Sequence, residues 1–286
     1  NASCDKGGLS YASVSTLLNR LEKFIEFAKI HGVNRLDKVS RGLVVDYANY
    51  LRSTDYSASY KQNLLSAVNT VMREGYSVYG MYWKSVKASE EKLPKRTNIR
   101  TESTSSKEQL SVAQQSMSAH ASVVAELARE LGLRTKEAAL LNARSAYEEA
   151  IEKHFVTIVE GTKGGRKRTV LVRESSQVEV LYKASLLQGD SHSLVPKEMT
   201  WKSFRNSILY EGREALKKSG IKDYHSLRAS FATDLYEELT GLPAPCNAGG
   251  KRIIDGTLDA AARLEVSEQL GHGRVDVTVA YLGGRR

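Results

Sequence analysis

Helical periodicity runs through nearly the whole chain and only one alternating segment interrupts it, which limits the available folds more than any other feature. Leu17, Leu18, Leu21, Phe24, Ile25 and Ala28 recur at three- and four-residue spacing over residues 10–30, the stripe of an amphipathic helix that stops at His31 and Gly32. Ser40 caps a second helix near 40–52, through Leu43, Val44, Tyr47 and Leu51, while Tyr60, Leu64, Val68 and Met72 mark a third over 57–74 that Gly75 closes. Further helices are predicted at 118–131, from Thr135 through Leu141, and at 176–188, 200–219, 225–239 and 257–270. The last carries Leu258, Ala262, Val266 and Leu270 in one line. The interruption is HFVTIVE at 154–160, alternating and rich in β-branched and aromatic residues, whose natural partner is TVLV at 169–172 across the turn GTKGGRKR. The predicted class is mainly α, formally α+β, with one small hairpin.

A chain of 286 residues has room for about two domains. KLPKRTNIRTESTSSKEQ, starting at Lys92, is rich in Ser, Thr and cations and poor in large apolar side chains, so it reads as a linker. The expected division is a helical domain over 1–90, a linker over 91–110 and a second domain over 111–286. Charge is unevenly shared between them. Residues 1–100 carry 16 positive and 9 negative side chains, a net +7, out of +9 for the whole chain. Such a basic front half points to a polyanionic partner, nucleic acid first.

Other classes are excluded by what is missing. No apolar run approaches the ~20 residues that span a bilayer. The opening NASCDKGGLS has no secretory leader, and its lack of Met reads as a trimmed start. Cys4 and Cys246 are too few for a disulfide framework or a cysteine-based zinc site, so the expected compartment is the reducing cytoplasm, in association with the nucleoid. There is no P-loop, G-x-S-x-G elbow or H-E-x-x-H, which argues against an ATPase, a serine hydrolase and a zinc enzyme.

The second half offers instead isolated cations, histidines and a tyrosine at element ends. Arg134 precedes Glu137 by one turn, and Lys163 sits on the hairpin turn. His225 and Arg228 share a face of a helix's first turn, His272 follows a helix end in LGHG, and Tyr281 lies nine residues later. Singly, each has an ordinary reading: a surface ion pair, a solvated turn lysine, a chance H-x-x-R, a helix cap, one tyrosine among 14. In order, LGLRTKEAALL, GTKGGRKR, YHSLRASFATDLYEELTG and VSEQLGHGRVDVTVAYL resemble the tyrosine recombinase (phage integrase) family, over most of residues 118–282.

The residue types suit attack on a phosphodiester. Two guanidiniums donate in planar pairs to non-bridging oxygens, a phenol attacks once a base takes its proton, and a lysine protonates the leaving oxygen. The set includes no carboxylate cluster, so no metal is called for, and a phosphotyrosine link conserves bond energy without ATP. By the resemblance, Tyr281 is the nucleophile that joins a DNA 3′-phosphate. Arg134 and Arg228 clamp the phosphate and His272 donates to it, Lys163 is the general acid, His225 assists as acid or base, and Glu137 buttresses the arginine.

The resemblance further implies a SAM-like core-binding domain in front of the catalytic domain, and no cofactor. Its implied partner is double-stranded DNA with an inverted-repeat core site, held by a dimer on one site and a homotetramer at a Holliday junction, with room for accessory DNA-bending proteins and no membrane. The implied role is the integrase or transposase of a mobile genetic element. Lys92, Lys95, Arg96, Arg100, Arg166, Lys167, Arg168, Lys251 and Arg252 are candidate DNA contacts. Two features depart from the family pattern. The interval from Arg228 to His272 is about 20 residues longer than expected for a simple member of the family, the surplus being 242–256, either a bare surface loop or an added contact to DNA or a neighbouring subunit through Lys251 and Arg252. Only five residues follow Tyr281, where many relatives carry a docking tail. A type IB topoisomerase-like enzyme and an inert DNA-binding copy of the domain are the alternative readings.

Overall fold

The computed structural model describes residues 11–95 and 99–284, and the chain separates into two compact units, 1–97 and 98–286. In the first, α1 (Tyr11–Ile30), α2 (Arg41–Ser53) and α3 (Ala58–Val78) enclose a core of Phe24, Phe27, Val44, Tyr47, Leu51, Leu64, Leu65, Val68 and Met72. Ser40 caps α2 by accepting from the Leu43 N–H, and Ser57 does the same for α3 toward Tyr60. The α1 stripe is rotated from the expected one. Leu18 and Ile25 are 52% and 41% exposed, and Phe27 takes the buried place beside Phe24 and Ala28. Gly75 does not end α3, which runs on to Val78, and Leu36, from the segment after α1, lies beside the glycine, 3.6 Å from where a Cβ would stand. Asn69 fastens the segment behind α3. Its Oδ1 accepts from the Trp83 indole and the Val86 N–H, and its Nδ2 donates to Val86 O.

The second unit is helical around a two-stranded sheet. It comprises α4 (Lys107–Gln114), α5 (Ala119–Glu130), α6 (Thr135–Leu140), α7 (Ala143–Lys153), β1 (Phe155–Ile158), β2 (Arg168–Leu171), α8 (Ser175–Gln188), α9 (Trp201–Asn206), α10 (Ile208–Lys218), α11 (Tyr224–Thr240), α12 (Gly256–Gln269) and α13 (Val279–Leu282). The strands are antiparallel with Phe155 opposite Leu171 and Ile158 opposite Arg168. One core gathers α5, α7 and α8, through residues such as Val124, Leu127, Ala146 and Leu181. A second gathers α11, α12 and α13 around Leu235, Tyr236, Val266, Leu270, Tyr281 and Leu282.

Three expectations are corrected here. The end of the anticipated linker is helical: Ser106 and Gln109 form a reciprocal capping box that starts α4, and Leu110 is buried. The helix expected over 200–219 is broken at Ser207, whose backbone leaves the helical region. Leu258 lies off the α12 stripe, 43% exposed, while Ala262, Val266 and Leu270 are buried as expected. No helix among the described residues is long and apolar enough to cross a membrane.

Candidate active site

The turn between α5 and α6 organises the site. Gly132 takes a left-handed φ of +58°, and a Cβ there would fall 2.4 Å from the Phe231 ring, so both backbone and space demand glycine. Its carbonyl accepts from two guanidiniums, those of Arg228 and Arg168, the latter at 3.2 Å. Two residues on, Arg134 stands at the N-cap of α6. Its N–H donates to Glu137 Oε2 at 2.8 Å and its Nη1 to Oε1 at 2.5 Å. Glu137 is fully buried and also accepts from Arg168 Nη2 at 2.8 Å. Burial alone would raise its carboxyl, but the charge and hydrogen bond of Arg168, with the Arg134 contacts, more than offset this and draw its pKa down to about 2. The Arg134 side chain keeps 24% of its surface exposed.

Arg168, expected at a DNA surface, is interior. It faces inward from β2, 8% exposed, and bonds to Gln269 O as well as to Glu137 and Gly132. The first glycine of LGHG lies against its stem, since a Cβ on Gly271 would be 2.3 Å from Arg168 Cδ. Strand alternation explains the placement: Arg168 and Val170 point inward together. Arg168 is therefore spent on holding Glu137 and the end of α12.

Arg228 enters from the first turn of α11, which Asp223 caps by accepting from the Ser226 N–H at 2.8 Å. It is fully buried, donating Nη1 to Gly132 O and Nη2 to Leu270 O at 2.5 Å, while its Nε has no protein partner. Burial pushes its pKa down to about 10, which leaves it cationic at neutral pH. The end of α12 is a glycine cap of the Schellman type: Gly271 N–H donates to Glu268 O and His272 N–H to Ser267 O, both at 2.8 Å. The cap sets His272 where its Nε2 lies 3.1 Å from the Tyr281 hydroxyl. Burial, then the charges of Arg228, Arg134 and Arg168, push His272 down to about 4. Tyr281, on α13, is only 5% exposed. Its ring centroid lies 5.5 Å from that of His225, and the Arg228 guanidinium carbon is 5.9 Å from it. His225 remains solvent-exposed on its outer side, and partial desolvation with the charge of Arg228 lowers its pKa.

Arg134, Glu137, His225, Arg228, His272 and Tyr281, from four separate stretches of sequence, thus form one connected cluster. Lys163 does not join it. It is exposed at the hairpin turn and bonds to nothing among the described residues, although the base of that turn docks on α6, where a Cβ on Gly161 would be 2.7 Å from Lys136 O. Arg166 and Lys167, beside it, are exposed and share an open groove with Gly271, His272 and Gly273. Lys92, Lys95, Lys251 and Arg252 are also exposed. Arg100 is half-buried and donates to Glu102 O at 2.8 Å and Ser103 O at 3.0 Å, and Arg96, like Cys4, lies outside the described residues.

Sequence reasoning did not identify Gly132, Gln269 or the inward role of Arg168. The signal was present in the two glycines flanking the motifs, LGLR and LGHG, each with a positive φ.

A family model described as Integrase matches residues 92–234. No curated protein sequence matches at a significant level. Among solved structures, a lambda integrase fragment, a dimer bound to a COC′ core site, is similar with a TM-score of 0.63 at 15% identity, over 99% of this chain and 92% of that one. The Tn1549 transposon integrase in complex with circular intermediate DNA gives 0.61 at 15% identity, over 98% and 92%. The XerH site-specific recombinase bound to palindromic difH gives 0.56 at 18% identity, over 94% and 74%. At these identities the likeness is one of fold.

Proposed function

The chain belongs to the integrase family, the tyrosine recombinases, and on that premise we propose that it cleaves and rejoins DNA at a specific site through a covalent 3′-phosphotyrosyl intermediate. The observation that carries this reading is the meeting of Tyr281 with His272, His225 and Arg228 in one cluster. Tyr281 Oη attacks the scissile phosphorus and its proton passes to the neutral Nε2 of His272, 3.1 Å away, which takes the part of base here in place of the phosphate donor that the resemblance implies. The bond from phosphorus to the 5′-oxygen breaks, leaving the DNA 3′-phosphate on the tyrosine. Lys163, on its hairpin, supplies the proton that the departing 5′-oxygen needs. Rejoining reverses the step, with a 5′-hydroxyl of the partner strand attacking the phosphotyrosine.

Arg228 has spent two of its five N–H groups on Gly132 and Leu270, and its partnerless Nε is among those left to donate. Arg134 has further free donors on its exposed side. Both are cations held in place before charge develops on the phosphate, the arrangement in which such donors stabilise most. The bond energy stays in the phosphotyrosyl link, so no nucleotide is consumed. The working unit is a dimer on one inverted-repeat site and a tetramer across a Holliday junction, serving a mobile genetic element; a lambda integrase dimer on a core site, a lambda integrase tetramer on a Holliday junction and the Tn1549 transposon integrase support this reading.

The test uses genomic DNA of the source organism, with EDTA and without ATP, and detergent to trap covalent complexes. Sequencing the protein-tagged ends is expected to give 3′-ends clustered at one site, absent with Tyr281→Phe while DNA binding persists. Attachment that survives Tyr281→Phe would overturn the assignment.

A further inference from the structure

The surplus segment 242–256 meets the tyrosine directly. Ala244, Pro245 and Cys246 are buried, and Ala244 and Cys246 belong to the same core as Tyr281 and Leu282. The Cys246 N–H donates to Leu282 O at 2.9 Å, and its thiol, which burial keeps protonated by pushing its pKa up, donates to Tyr281 O at 3.5 Å. Gly283, at φ +90°, lets the two segments close: a Cβ there would stand 2.8 Å from Cys246 N and 3.1 Å from Arg100 O. Next in sequence, Asn247 accepts from the Thr104 N–H at 3.0 Å and donates to Thr104 Oγ1 at 3.2 Å. Thr104 Oγ1 in turn meets Thr233 Oγ1 on α11, the helix of His225 and Arg228, at 2.9 Å.

A helix of four residues does not hold itself in water. The pose of α13 is therefore set from outside. Arg263 of α12 donates to Gly283 O at 3.3 Å and Gly284 O at 2.7 Å, the Arg100 N–H donates to Val279 O at 2.9 Å, and the surplus segment takes the carbonyls of Tyr281 and Leu282.

We propose that Cys246 and Asn247 form a clasp that positions Tyr281 for attack, tying the nucleophile's helix through Thr104 to the helix that carries the phosphate-binding arginine. This rests on the recombinase reading above. Cys246 and Asn247 are positioning residues: they touch neither phosphate nor the reacting oxygen. The segment's exposed Lys251 and Arg252 lie beyond the clasp, so anchoring of α13 and any DNA contact there are separable.

The test measures single-turnover covalent attachment at saturating DNA, on a nicked duplex carrying the site mapped by end-sequencing. Asn247→Ala removes the bonds to Thr104 and is expected to slow attachment about tenfold, the loss that corresponds to roughly one net hydrogen-bond pair. DNA affinity stays at the wild-type value, and the unfolding midpoint falls by no more than the few degrees that one net hydrogen-bond pair accounts for. Asn247→Asp keeps the acceptor for the Thr104 N–H and restores most of the rate. Gly283→Ala, which pushes the two segments apart, slows attachment as well. A 5′-bridging sulfur at the scissile position, which leaves without a proton, does not relieve the Asn247→Ala defect, because the defect lies in attack and not in departure. Wild-type attachment by Asn247→Ala, or a loss of rate matched by an equal loss of DNA affinity or by unfolding under the assay conditions, would overturn the clasp. Attachment persisting in Tyr281→Phe would instead overturn the reading beneath it, so the two failures are told apart.

Discussion

Replacing Glu137 by Gln removes one negative charge from among three arginines while keeping the side chain's shape. The carboxylate is fully buried and takes 2.8 Å and 2.5 Å bonds from Arg134 and a 2.8 Å bond from Arg168, with Arg228 Nη1 at 3.8 Å. Its fall in pKa from 4.5 to about 2 corresponds to roughly 3 kcal/mol of preference for the ionised form. Breaking a buried ion pair from one side typically costs about 3–5 kcal/mol, because the partner's charge is left uncompensated. The two figures agree at about 3 kcal/mol, a large share of the ~5–15 kcal/mol that keeps a domain folded. For a unit of this size that lowers the unfolding midpoint by about 6–12 °C.

The effect has a pH signature. Glu137's folded pKa lies below its unfolded one, so its contribution is fully present above about pH 4.5 and is lost as pH falls toward 2. The gap between wild type and Glu137→Gln therefore narrows on acidification. Urea unfolding at pH 7, 4 and 3 measures it. In a double-mutant cycle with Arg168→Gln the losses are non-additive by about 1 kcal/mol or more. A cost under about 1 kcal/mol at pH 7, or a gap independent of pH, would refute the argument that this carboxylate holds the arginine cluster together.

Four further outcomes follow from the site. Arg228→Lys keeps a charge but loses the planar fork that serves Gly132, Leu270 and the phosphate together, so covalent attachment drops about 10²–10³-fold in a trapping assay. His272, held near a pKa of 4, is neutral from pH 8 down to about 5, so the attachment rate does not follow its titration there and falls only as pH approaches 4. Since that value lies below the 6.5 of an unperturbed ring, the folded state loses stability as pH drops from 6.5 toward 4, and His272→Gln removes this part of the acid sensitivity, as unfolding midpoints at pH 7 and 4.5 will register. Lys163→Ala slows attachment on ordinary DNA and recovers on a 5′-bridging phosphorothiolate, whose sulfur departs without a proton; a defect that persists on the sulfur substrate would remove Lys163 from the role of acid.

How far the sequence carried these conclusions depended on the size and sign of the side chains involved. Large apolar residues at helical spacing announced α2, α3 and α5, and the alternation of HFVTIVE announced β1. Helix α7 escaped notice because its buried stripe is Ala143, Ala146 and Ala150, too small to stand out against the charged residues between them. Arg168 misled in the opposite sense: a cation in GTKGGRKR reads as a surface charge, and only the pairing of Ile158 with Arg168 turns it inward onto Glu137. LGHG was ambiguous between a helix cap and a reactive histidine, and it is a cap that carries the histidine to Tyr281. The surplus segment had no interpretable pattern, since its hold on α13 runs through backbone atoms and one cysteine, with an asparagine beside it bonded to Thr104, and these leave no periodic trace.

Everything proposed for the site turns on Tyr281 becoming covalently joined to DNA. Nuclease digestion of the trapped complex, followed by mass mapping of its peptides, reads this directly. A nucleotide 3′-phosphate is expected on Tyr281; a nucleotide found on any other residue, or a trapped complex whose Tyr281 peptide is unmodified, would refute the covalent assignment.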